Sequence, residues 1–444
     1  MKLMRSISGI RGVVGQTLTP QIIASHAKAF LDLINAKKIV IGMDSRPTGN
    51  AIAELVCGVC RLSGVEVVDS GLATTPTVEL LVEHLGASGG IIITASHNPI
   101  EWNALKFLNG KGMFLGPNEA KELFAKADAA EFFWASYSEM GKKESISNGD
   151  EMHINATLAL PFVDVQKIKE RKFRVAVDAV NGAGSFALPK LLEALGCKVV
   201  KIYCEPNGIF PRGAEPLQEN LSDLSKAVEE NKCDIGFALD PDADRCAIAD
   251  ENGEPIGEEY TLAVAAETVL EREAKPISIN LSTSRMCEDL AEKFGVKCYR
   301  AAVGEINVSL DMMEHGCIAG GEGNGGVILP ALHYGRDSLV SAALVLDLLA
   351  RHSIKISDWV KSHSSYTMIK KKFEIKNSVS VAMEKAKKTF AGWNADERDG
   401  LWLGKDKSFV HLRVSNTEPV IRIIAEAPSA EKAGTLCAKI EELL

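Results

Sequence analysis

Four short polar loops carry the side chains of this 444-residue chain that could do chemistry. The first is TASHNP, in which Ser96 follows the apolar run IIIT and precedes a turn that Asn98 and Pro99 favour. A hydroxyl at such a position can act as a nucleophile when a neighbouring group activates it, and His97 and Lys106 are candidates for that role. A serine whose side chain only caps a turn has the same appearance, so the hexapeptide alone leaves both interpretations open.

The second loop is DPDADR, in which carboxylates alternate along the chain. Asp240, Asp242 and Asp244 occupy every second position, so an extended loop would direct all three side chains to one side. Such a cluster repels itself unless a cation neutralises it, and oxygen ligands of this kind suit Mg²⁺ or Ca²⁺. The spacing imitates an EF-hand, but Arg245 stands where that loop needs glycine. The sequence therefore favours a metal site over three solvated turn carboxylates.

Two further loops offer groups that suit a sugar and a phosphate. GGEGNGG places Glu322 and Asn324 among glycines, whose backbone can approach a ligand closely while the polar side chains meet hydroxyls. A flexible hairpin is the alternative interpretation of this loop. RVSNTEP combines a guanidinium, hydroxyls and an amide, a set that matches a phosphate oxyanion and equally a solvated polar turn. Its candidate ligands are Arg413, Ser415, Asn416, Thr417 and, further along the chain, Arg422.

The elements that must position these loops form a weak internal repeat. Apolar strands at 38–49, 173–184 and 276–286 each run into a polar loop and a helix, and a strand led by glycine follows. A further helix and a third strand come next, and the third strands open into the TASHNP, DPDADR and GGEGNGG loops. Because parallel α/β units bind ligands at the carboxyl ends of their strands, the repeat predicts that these loops converge on one cleft.

The repeat predicts an α/β fold with three similar mixed α/β domains and a smaller C-terminal α+β domain around a central cleft. From about residue 366 the pattern changes to two strands around a polar turn, followed by a helix from about Ala430. The expected domain boundaries are 1–150, 151–252, 253–365 and 366–444.

Bulk composition excludes some classes of partner. The formal charge is -9 at pH 7, which argues against a nucleic-acid or anionic-membrane surface. The negative charge does not exclude phosphorylated small molecules as ligands, because a local cluster of basic side chains can bind them within an acidic protein. No apolar run has the length of a signal peptide or a membrane span, so we expect a cytoplasmic protein, either a monomer or a homodimer.

Together and in this order, the four motifs resemble those of the α-D-phosphohexomutase superfamily, which includes phosphoglucomutase, phosphomannomutase and phosphoglucosamine mutase. They span almost the whole chain. The resemblance implies four domains that carry, in chain order, a phosphoserine, a metal ion, the sugar and the substrate's non-reacting phosphate. It also implies one Mg²⁺ ion per chain, a hexose 1,6-bisphosphate as primer and intermediate, and a small phosphosugar as the partner.

The resemblance also implies roles for single residues. Lys106 matches a general acid/base, and Arg11 and Arg245 match residues that border the phosphoserine. The implied metal ligands are Ser96, through its phosphate, and Asp240, Asp242 and Asp244. The residues implied to bind the substrate are Glu322, Asn324, Glu305, Arg413, Ser415, Asn416, Thr417 and Arg422.

Three positions depart from the best-known pattern of the superfamily, and one of them is Asn324, which replaces a Ser. Gly326 stands where many members carry His, so any proton transfer by that His must fall to Lys106 or His97. Glu305 stands where glucomutase-like members often have His, and an acidic residue there resembles phosphoglucosamine mutases. Such a carboxylate could pair with an amino group.

The implied activity is that of an isomerase, an intramolecular phosphotransferase that moves a phosphoryl group between C1 and C6 of a hexose phosphate. Conversion of glucosamine 6-phosphate to glucosamine 1-phosphate is the favoured reaction, and a dual phosphoglucomutase/phosphomannomutase is the alternative. A non-catalytic phosphosugar-binding protein and a hydrolase are the rivals from other classes, although a binder would have no need of Ser96, Lys106 and the aspartates.

Overall fold

The computed structural model of this chain describes residues 3–363, 365–374, 379–414 and 420–443. The strands of these residues form four sheets, and each sheet belongs to one successive part of the chain. We refer to these parts as the first, second, third and fourth units.

The first unit is built on a seven-stranded sheet. Its strands are β1 (Met4–Ser6), β2 (Gly9–Val13), β3 (Lys38–Met43), β4 (Glu66–Leu72), β5 (Gly89–Ile93), β6 (Trp102–Asn109) and β7 (Lys143–Ser145), and its helices are α1 (Pro20–Leu33), α2 (Gly49–Leu62), α3 (Thr75–His84) and α4 (Pro117–Ala129). The strand order across the sheet is β1-β2-β6-β5-β3-β4-β7.

The second unit has a four-stranded sheet and the third unit a five-stranded one. The second contains α5 (Gly149–Leu158), α6 (Val165–Arg171), β8 (Arg174–Asp178), α7 (Gly184–Ala194), β9 (Lys198–Ile202), α8 (Ser222–Asn231), β10 (Ile235–Leu239) and β11 (Cys246–Ala249). The third contains α9 (Glu259–Leu270), β12 (Ile277–Asn280), α10 (Met286–Lys293), β13 (Cys298–Ala301), α11 (Glu305–His315), β14 (Ala319–Glu322), β15 (Gly326–Leu329), β16 (His333–Arg336), α12 (Ser338–His352) and α13 (Ile356–Ser362).

The three sheets share one arrangement, which confirms the predicted repeat. Four neighbouring strands run β4-β3-β5-β6, β9-β8-β10-β11 and β13-β12-β14-β15, with three parallel strands and an antiparallel fourth in each sheet. Gly64, Gly196 and Gly295 end the equivalent helices α2, α7 and α10 with a left-handed φ of 80°, 80° and 67°. This conformation favours glycine and directs the chain back into the sheet.

Helix α12 joins the hydrophobic cores of the second and third units. Its residues from Ser338 to Ala350 are buried without interruption, as expected of a helix that is covered on all sides. It packs against α9 of its own unit and against α6 and α7 of the second unit. One cluster of buried apolar side chains consequently extends from Ile154 to Trp359 and crosses both units.

A buried polar network connects the first three units where they meet. His153 of α5 and His333 of β16 both bond through Nε2 to the same Asp337 Oδ2, at 2.7 and 3.0 Å. The other ring nitrogen of His153 lies 2.9 Å from Thr77 Oγ1 of α3. Asp337 also accepts the backbone N–H of Leu339 and so caps α12. The network therefore fixes the start of α12 relative to the other two units.

The fourth unit has an antiparallel sheet and a hydrophobic core of its own. Its elements are β17 (Thr367–Glu374), α14 (Val379–Thr389), β18 (Asn394–Asp396), β19 (Leu401–Lys405), β20 (Ser408–Val414), β21 (Val420–Ala427) and α15 (Ala430–Glu441). The strand order is β17-β21-β20-β19-β18, and the predicted pair of strands followed by a helix is confirmed as β20, β21 and α15. Within the described ranges, none of the helices is both long enough and apolar enough to cross a membrane.

Polar contacts hold the fourth unit against the third. Ser282 Oγ lies 3.0 Å from His411 Nδ1, and Glu426 Oε1 accepts the backbone N–H of Arg285 at 2.9 Å. Lys370 pairs with Glu259 at 3.2 Å. Contacts of this kind can be exchanged for water at lower cost than an apolar core, so the fourth unit is the part of the chain best able to move.

Glu426 makes this contact sensitive to pH. Burial raises the pKa of Glu426 from its ordinary value of 4.5 to about 7, against the opposing effect of hydrogen bonds from Ser284 and Arg285. The folded protein therefore keeps a proton on Glu426 that the unfolded chain releases, and stability falls as the pH rises from 4.5 towards 7. We predict that Glu426→Gln, which removes this ionisation, raises the Tm by about 2–4 °C at pH 8 and leaves it almost unchanged at pH 4.5. Thermal unfolding followed by calorimetry at both pH values tests this, and an equal shift at both would contradict it.

Candidate active site

Ser96 lies directly after β5 in a loop that is held in a strained shape. Its backbone adopts a left-handed φ of 46°, and its N–H donates to Thr94 Oγ1 at 2.9 Å. The guanidinium of the buried Arg46 donates to the carbonyl oxygens of Ser96 and Asn98, both at 2.6 Å. Arg46 is itself paired with Asp44 at 3.1 Å. These contacts fix the backbone, and the Ser96 hydroxyl consequently faces the second unit.

The Ser96 hydroxyl meets the aspartate loop that follows β10. Ser96 Oγ donates to Asp240 Oδ2 at 3.0 Å, and His97 Nδ1 lies 3.4 Å from the same hydroxyl. The other oxygen of Asp240 accepts the backbone N–H groups of Asp244 and Arg245, each at 3.2 Å. The loop after β5 of the first unit and the loop after β10 of the second unit are therefore in direct contact.

Asp240, Asp242 and Asp244 are fully buried, and each offers a carboxylate oxygen within 4.8 Å of the others. Burial raises the pKa of Asp240, and the charges on Asp244 and Asp242 raise it further. Asp242 Oδ2 accepts hydrogen bonds from Lys106 Nζ at 2.6 Å and Thr75 Oγ1 at 2.7 Å. Asp242 Oδ1 and Asp244 Oδ1, in contrast, are buried without any hydrogen-bond partner. Two unpartnered oxygens in a buried carboxylate cluster fit a divalent cation.

Lys106 and His97 carry opposite charge states beside this cluster. Burial alone would lower the pKa of Lys106, but the carboxylates of Asp242 and Asp244 raise it above its ordinary value, so the side chain is an ammonium ion. Burial lowers the pKa of His97 to about 2, and the nearby Arg245 and Arg11 lower it further, so the imidazole is neutral. The structure thus combines a proton donor and a neutral ring next to Ser96.

Two arginines border the serine loop. Arg11 of β2 donates to the side-chain oxygen of Asn98 at 2.5 Å. Arg245 lies 3.3 Å from His97 Nδ1 and pairs with Glu215 at 2.9 Å. Two guanidinium groups therefore bring positive charge to the serine loop, and that of Arg245 also lies 3.8 Å from Asp244.

The Gly-rich loop of the third unit reaches the same place through Arg336. This side chain, at the end of β16, donates to Asp244 Oδ2 at 2.5 Å and to Glu322 Oε2 at 2.8 Å. Burial raises the pKa of Glu305 to about 7, although Arg336, which donates to its carboxylate at 2.8 Å, opposes that rise. Asn324 Nδ2 lies 3.4 Å from Glu322 Oε2. The predicted convergence of the three loops is confirmed.

The tail loop is only partly described. Arg413 is the penultimate residue of β20 and lies opposite Arg422 of β21 in the register of the sheet. Its Nε is 2.7 Å from Asp399 Oδ2, which also accepts the backbone N–H of Val303 in the third unit. The next residue, Gly304, donates its N–H to Glu322. Arg413 is thereby connected to the Gly-rich loop, whereas Ser415, Asn416 and Thr417 lie outside the described residues.

Several residues of the site had not been singled out from the sequence. Arg46 lies in the polar loop after β3 and Arg336 in the segment HYGRD, but neither position shows which carboxylates or carbonyl groups the guanidinium contacts. Asp337 lies in the same segment, and Thr75 and His153 carried no signal at all. Thr75 bonds to Asp242, 167 residues away, and His153 bonds to Asp337, 184 residues away.

Comparison with known proteins identifies the family. The four domain descriptions of phosphoglucomutase/phosphomannomutase match residues 3–133 (α/β/α domain I), 151–253 (α/β/α domain II), 257–366 (α/β/α domain III) and 371–443 (C-terminal domain). A phosphoglucomutase/phosphomannomutase of Thermococcus kodakarensis is 35% identical over 96% of this chain and 94% of its own. A probable phosphoglucosamine mutase of Pyrococcus abyssi is 34% identical over 98% of this chain and 96% of its own.

A solved structure agrees with these relatives. The phosphoglucomutase/phosphomannomutase family protein of Burkholderia thailandensis superposes with a TM-score of 0.86 at 25% identity, over 99% of this chain and 98% of its own. The motifs, the four sheets and the match along almost the entire chain lead to one conclusion: this protein belongs to the phosphoglucomutase/phosphomannomutase family of the α-D-phosphohexomutase superfamily.

Proposed function

We propose that this protein is a phosphohexomutase that moves a phosphoryl group between C1 and C6 of a hexose phosphate, with Ser96 as the carrier. The observation that carries the proposal is the contact between the Ser96 hydroxyl and Asp240, 3.0 Å apart, beside two buried carboxylate oxygens that lack hydrogen-bond partners. A nucleophile next to a cation site is the arrangement that phosphoryl transfer requires. The reaction is an isomerisation and consumes no nucleotide.

The aspartate cluster is proposed to hold one Mg²⁺ ion, with Asp240, Asp242, Asp244 and the phosphorylated Ser96 as ligands. When bound, the ion would offset the negative charge that spreads over a transferring phosphoryl group. Oδ2 of Asp242 already accepts hydrogen bonds from both Lys106 and Thr75, which leaves its Oδ1 available to the ion.

The side chains around Ser96 account for the remaining steps. The P–O bond to Ser96 Oγ breaks as the phosphoryl group bonds to the free hydroxyl of the sugar phosphate, so the Ser96 oxygen must gain a proton and the hydroxyl must lose one. We assign both transfers to Lys106, whose ammonium group gives its proton to the Ser96 oxygen and, as the amine, takes the proton of the hydroxyl. We assign the orientation of the Ser96 oxygen to the neutral His97, 3.4 Å away. Arg11 and Arg245 supply positive charge beside the loop. The resulting 1,6-bisphosphate turns over in the cleft and returns its other phosphoryl group to Ser96.

The other two loops are proposed to hold the sugar. Glu322, Asn324 and Glu305 would contact its hydroxyl or amino groups, and the loop of the fourth unit would bind its non-reacting phosphate. The residues proposed for that phosphate are Arg413, Ser415, Asn416, Thr417 and Arg422. The work is thereby divided among a phosphoserine domain (1–150), a metal-binding domain (151–252), a sugar-binding domain (253–365) and a phosphate-binding domain (366–444).

Glucosamine phosphate is the favoured substrate, because the relative from Pyrococcus abyssi is named a probable phosphoglucosamine mutase and Glu305 places a buried carboxylate beside the sugar loop. The specific observation for the alternative is that the relative from Thermococcus kodakarensis is named a phosphoglucomutase/phosphomannomutase.

A side-by-side assay decides between these substrates. We expect the 1- or 6-phosphates of glucosamine to be isomerised faster than those of glucose and mannose when Mg²⁺ and a trace of the hexose 1,6-bisphosphate are present. Faster turnover of the glucose or mannose forms would establish the alternative. Inorganic phosphate released in step with substrate loss would instead identify a hydrolase and contradict the proposed function.

Intact-mass spectrometry tests the carrier. The protein treated with hexose 1,6-bisphosphate is expected to gain about 80 Da, the mass of one phosphoryl group, and Ser96→Ala is expected to lose that species together with turnover. Binding of the sugar phosphate should survive in this variant, since the hydroxyl is small and the neighbouring loops are unchanged. Ser63→Ala, at the end of α2, serves as the control that keeps the heavier species. Persistence of the added mass in Ser96→Ala would refute the assignment.

Asp242→Asn tests the cation site. Partners of metal ligands already change metal affinity by about 10–100-fold, so loss of a ligand should raise the Mg²⁺ concentration for half-maximal activity at least about tenfold. Asp223→Asn provides a matched aspartate of the second unit whose carboxylate contacts only Tyr203 among the hydrogen bonds of the described residues. An unchanged Mg²⁺ requirement in Asp242→Asn would exclude this residue as a ligand.

A further inference from the structure

Arg336 is the one side chain in the described structure that contacts both the aspartate cluster and the Gly-rich loop. Its guanidinium donates through three different nitrogens to Glu305 at 2.8 Å, to Glu322 at 2.8 Å and to Asp244 at 2.5 Å. Only 8% of its surface is exposed. A guanidinium is planar and rigid, so a displacement of any of these carboxylates is transmitted to the other two.

The contact with Asp244 uses only one of its two carboxylate oxygens. Arg336 donates to Oδ2 of Asp244, whereas Oδ1 is buried without a hydrogen-bond partner and lies 3.8 Å from Arg245 Nε. Arg336 thus orients a candidate metal ligand without occupying the metal position. Residues that hold metal ligands in this way change metal affinity when they are altered, even though they do not touch the ion.

The contact with Glu322 involves the proposed sugar loop. Glu322 Oε2 accepts from Arg336, while its Oε1 accepts from Asn280 at 2.8 Å and from the backbone of Gly304 at 3.0 Å. A sugar hydroxyl that approaches Glu322 must therefore share this carboxylate with Arg336. Ordering of the sugar loop and ordering of Asp244 are connected through one guanidinium.

Gly326 provides the space that Arg336 occupies. A Cβ atom at position 326 would lie 2.3 Å from Cδ of Arg336 and 3.0 Å from its Cγ, far closer than real Cβ contacts. Gly326 is not among the glycines with a positive φ, so its backbone conformation suits any residue. The glycine is consequently required by the arginine stem, and positions 326 and 336 form one structural pair.

We propose that Arg336 is a positioning residue that makes cation binding and sugar-phosphate binding depend on each other. This inference rests on the proposed function, since it concerns the same cation and the same sugar. Each ligand orders carboxylates that Arg336 shares with the other site, so the second ligand binds to carboxylates that are already ordered. Mg²⁺ and the sugar phosphate therefore tighten each other's binding by the same factor, and we call this mutual effect the linkage.

Isothermal titration of Mg²⁺ with and without saturating glucosamine 6-phosphate tests the linkage. All proteins carry Ser96→Ala, which prevents turnover during the titration. We expect the sugar phosphate to tighten Mg²⁺ binding at least about fivefold in this background. Arg336→Lys keeps the charge but cannot reach three carboxylates. With this substitution added, the sugar phosphate is expected to tighten Mg²⁺ binding less than about twofold.

Arg272→Lys is the matched control. Arg272 is another partly buried arginine with a two-pronged contact to a carboxylate, Asp347, at 2.6 and 2.8 Å, and it lies beyond the far end of α9. This variant should keep the full linkage. A linkage that survives in Arg336→Lys, for example because the substrate phosphate contacts the ion directly, would overturn the proposal. Absence of linkage in the Ser96→Ala background itself would overturn it as well.

Gly326→Ala gives a second test that leaves Arg336 in place. The added methyl group displaces the arginine stem, so we expect this variant to weaken the linkage by the same route. Gly58→Ala, in α2 with open space around the new Cβ, is its control. Circular dichroism confirms that the Gly326→Ala protein is folded. Full linkage in this folded variant would contradict the role of positions 326 and 336 in coupling the two sites.

Failure of the proposed function has a different signature. If the Ser96→Ala protein binds none of the hexose phosphates, the phosphohexomutase proposal fails, and titration with Mg²⁺ alone still tests Arg336. In that titration Arg336→Lys is expected to weaken Mg²⁺ binding about tenfold relative to Arg272→Lys, because Asp244 loses its outer partner. Equal Mg²⁺ affinities would then overturn the role of Arg336.

Discussion

Burial of three carboxylates in a single loop imposes the requirement around which the first three units are arranged. Charges removed from water are tolerated only when they are paired and hydrogen-bonded, so the outer oxygens of the aspartate loop need donors. Within the second unit, which carries the loop, the Arg245 side chain lies 3.8 Å from Asp244 and 4.0 Å from Asp240, too far for a hydrogen bond. The donors come from the first and third units: Ser96 on Asp240, Thr75 and Lys106 on Asp242, and Arg336 on Asp244. The same charge that creates a cation site therefore also holds the units together.

The repeated units solve the problem of bringing different chemistry to one place. In each unit a parallel strand ends at the same relative position, and its following loop points towards the cleft. The backbone plan is shared, whereas the loops carry a hydroxyl, carboxylates and a glycine-rich turn. Because the side chains of a loop contribute little to the packing of its sheet, they can differ without a change of fold.

The interfaces between units differ in kind. The second and third units share one hydrophobic core through α12, and the network of His153, Asp337 and His333 fixes the start of that helix. The fourth unit has its own core and contacts the third through polar groups such as Glu426 and His411. An apolar core resists separation, while polar contacts can be replaced by water. The part proposed to grip the substrate phosphate is thus the part that opens at the lowest cost.

Sequence alone determined the features that depend on local pattern. Apolar runs led by Gly64, Gly196 and Gly295 marked the strands of the repeat, because the left-handed helix ends and buried strands need those residue types wherever they occur. The alternation of Asp240, Asp242 and Asp244 marked the carboxylate cluster for the same reason. The order of the four motifs along the chain was sufficient for the family.

Tertiary structure decided the partners. Nothing near Arg336 in the chain shows that it binds Asp244, which is 92 positions away, or that Gly326 is bare because the arginine stem fills its space. Likewise, only the fold shows that Lys106 is a charged partner of Asp242 and that His97 is neutral, since both states follow from burial and from charges on other units. Local pattern specifies which groups a strand end presents. The packing of sheets that are distant in sequence decides which charged side chains lie next to each other.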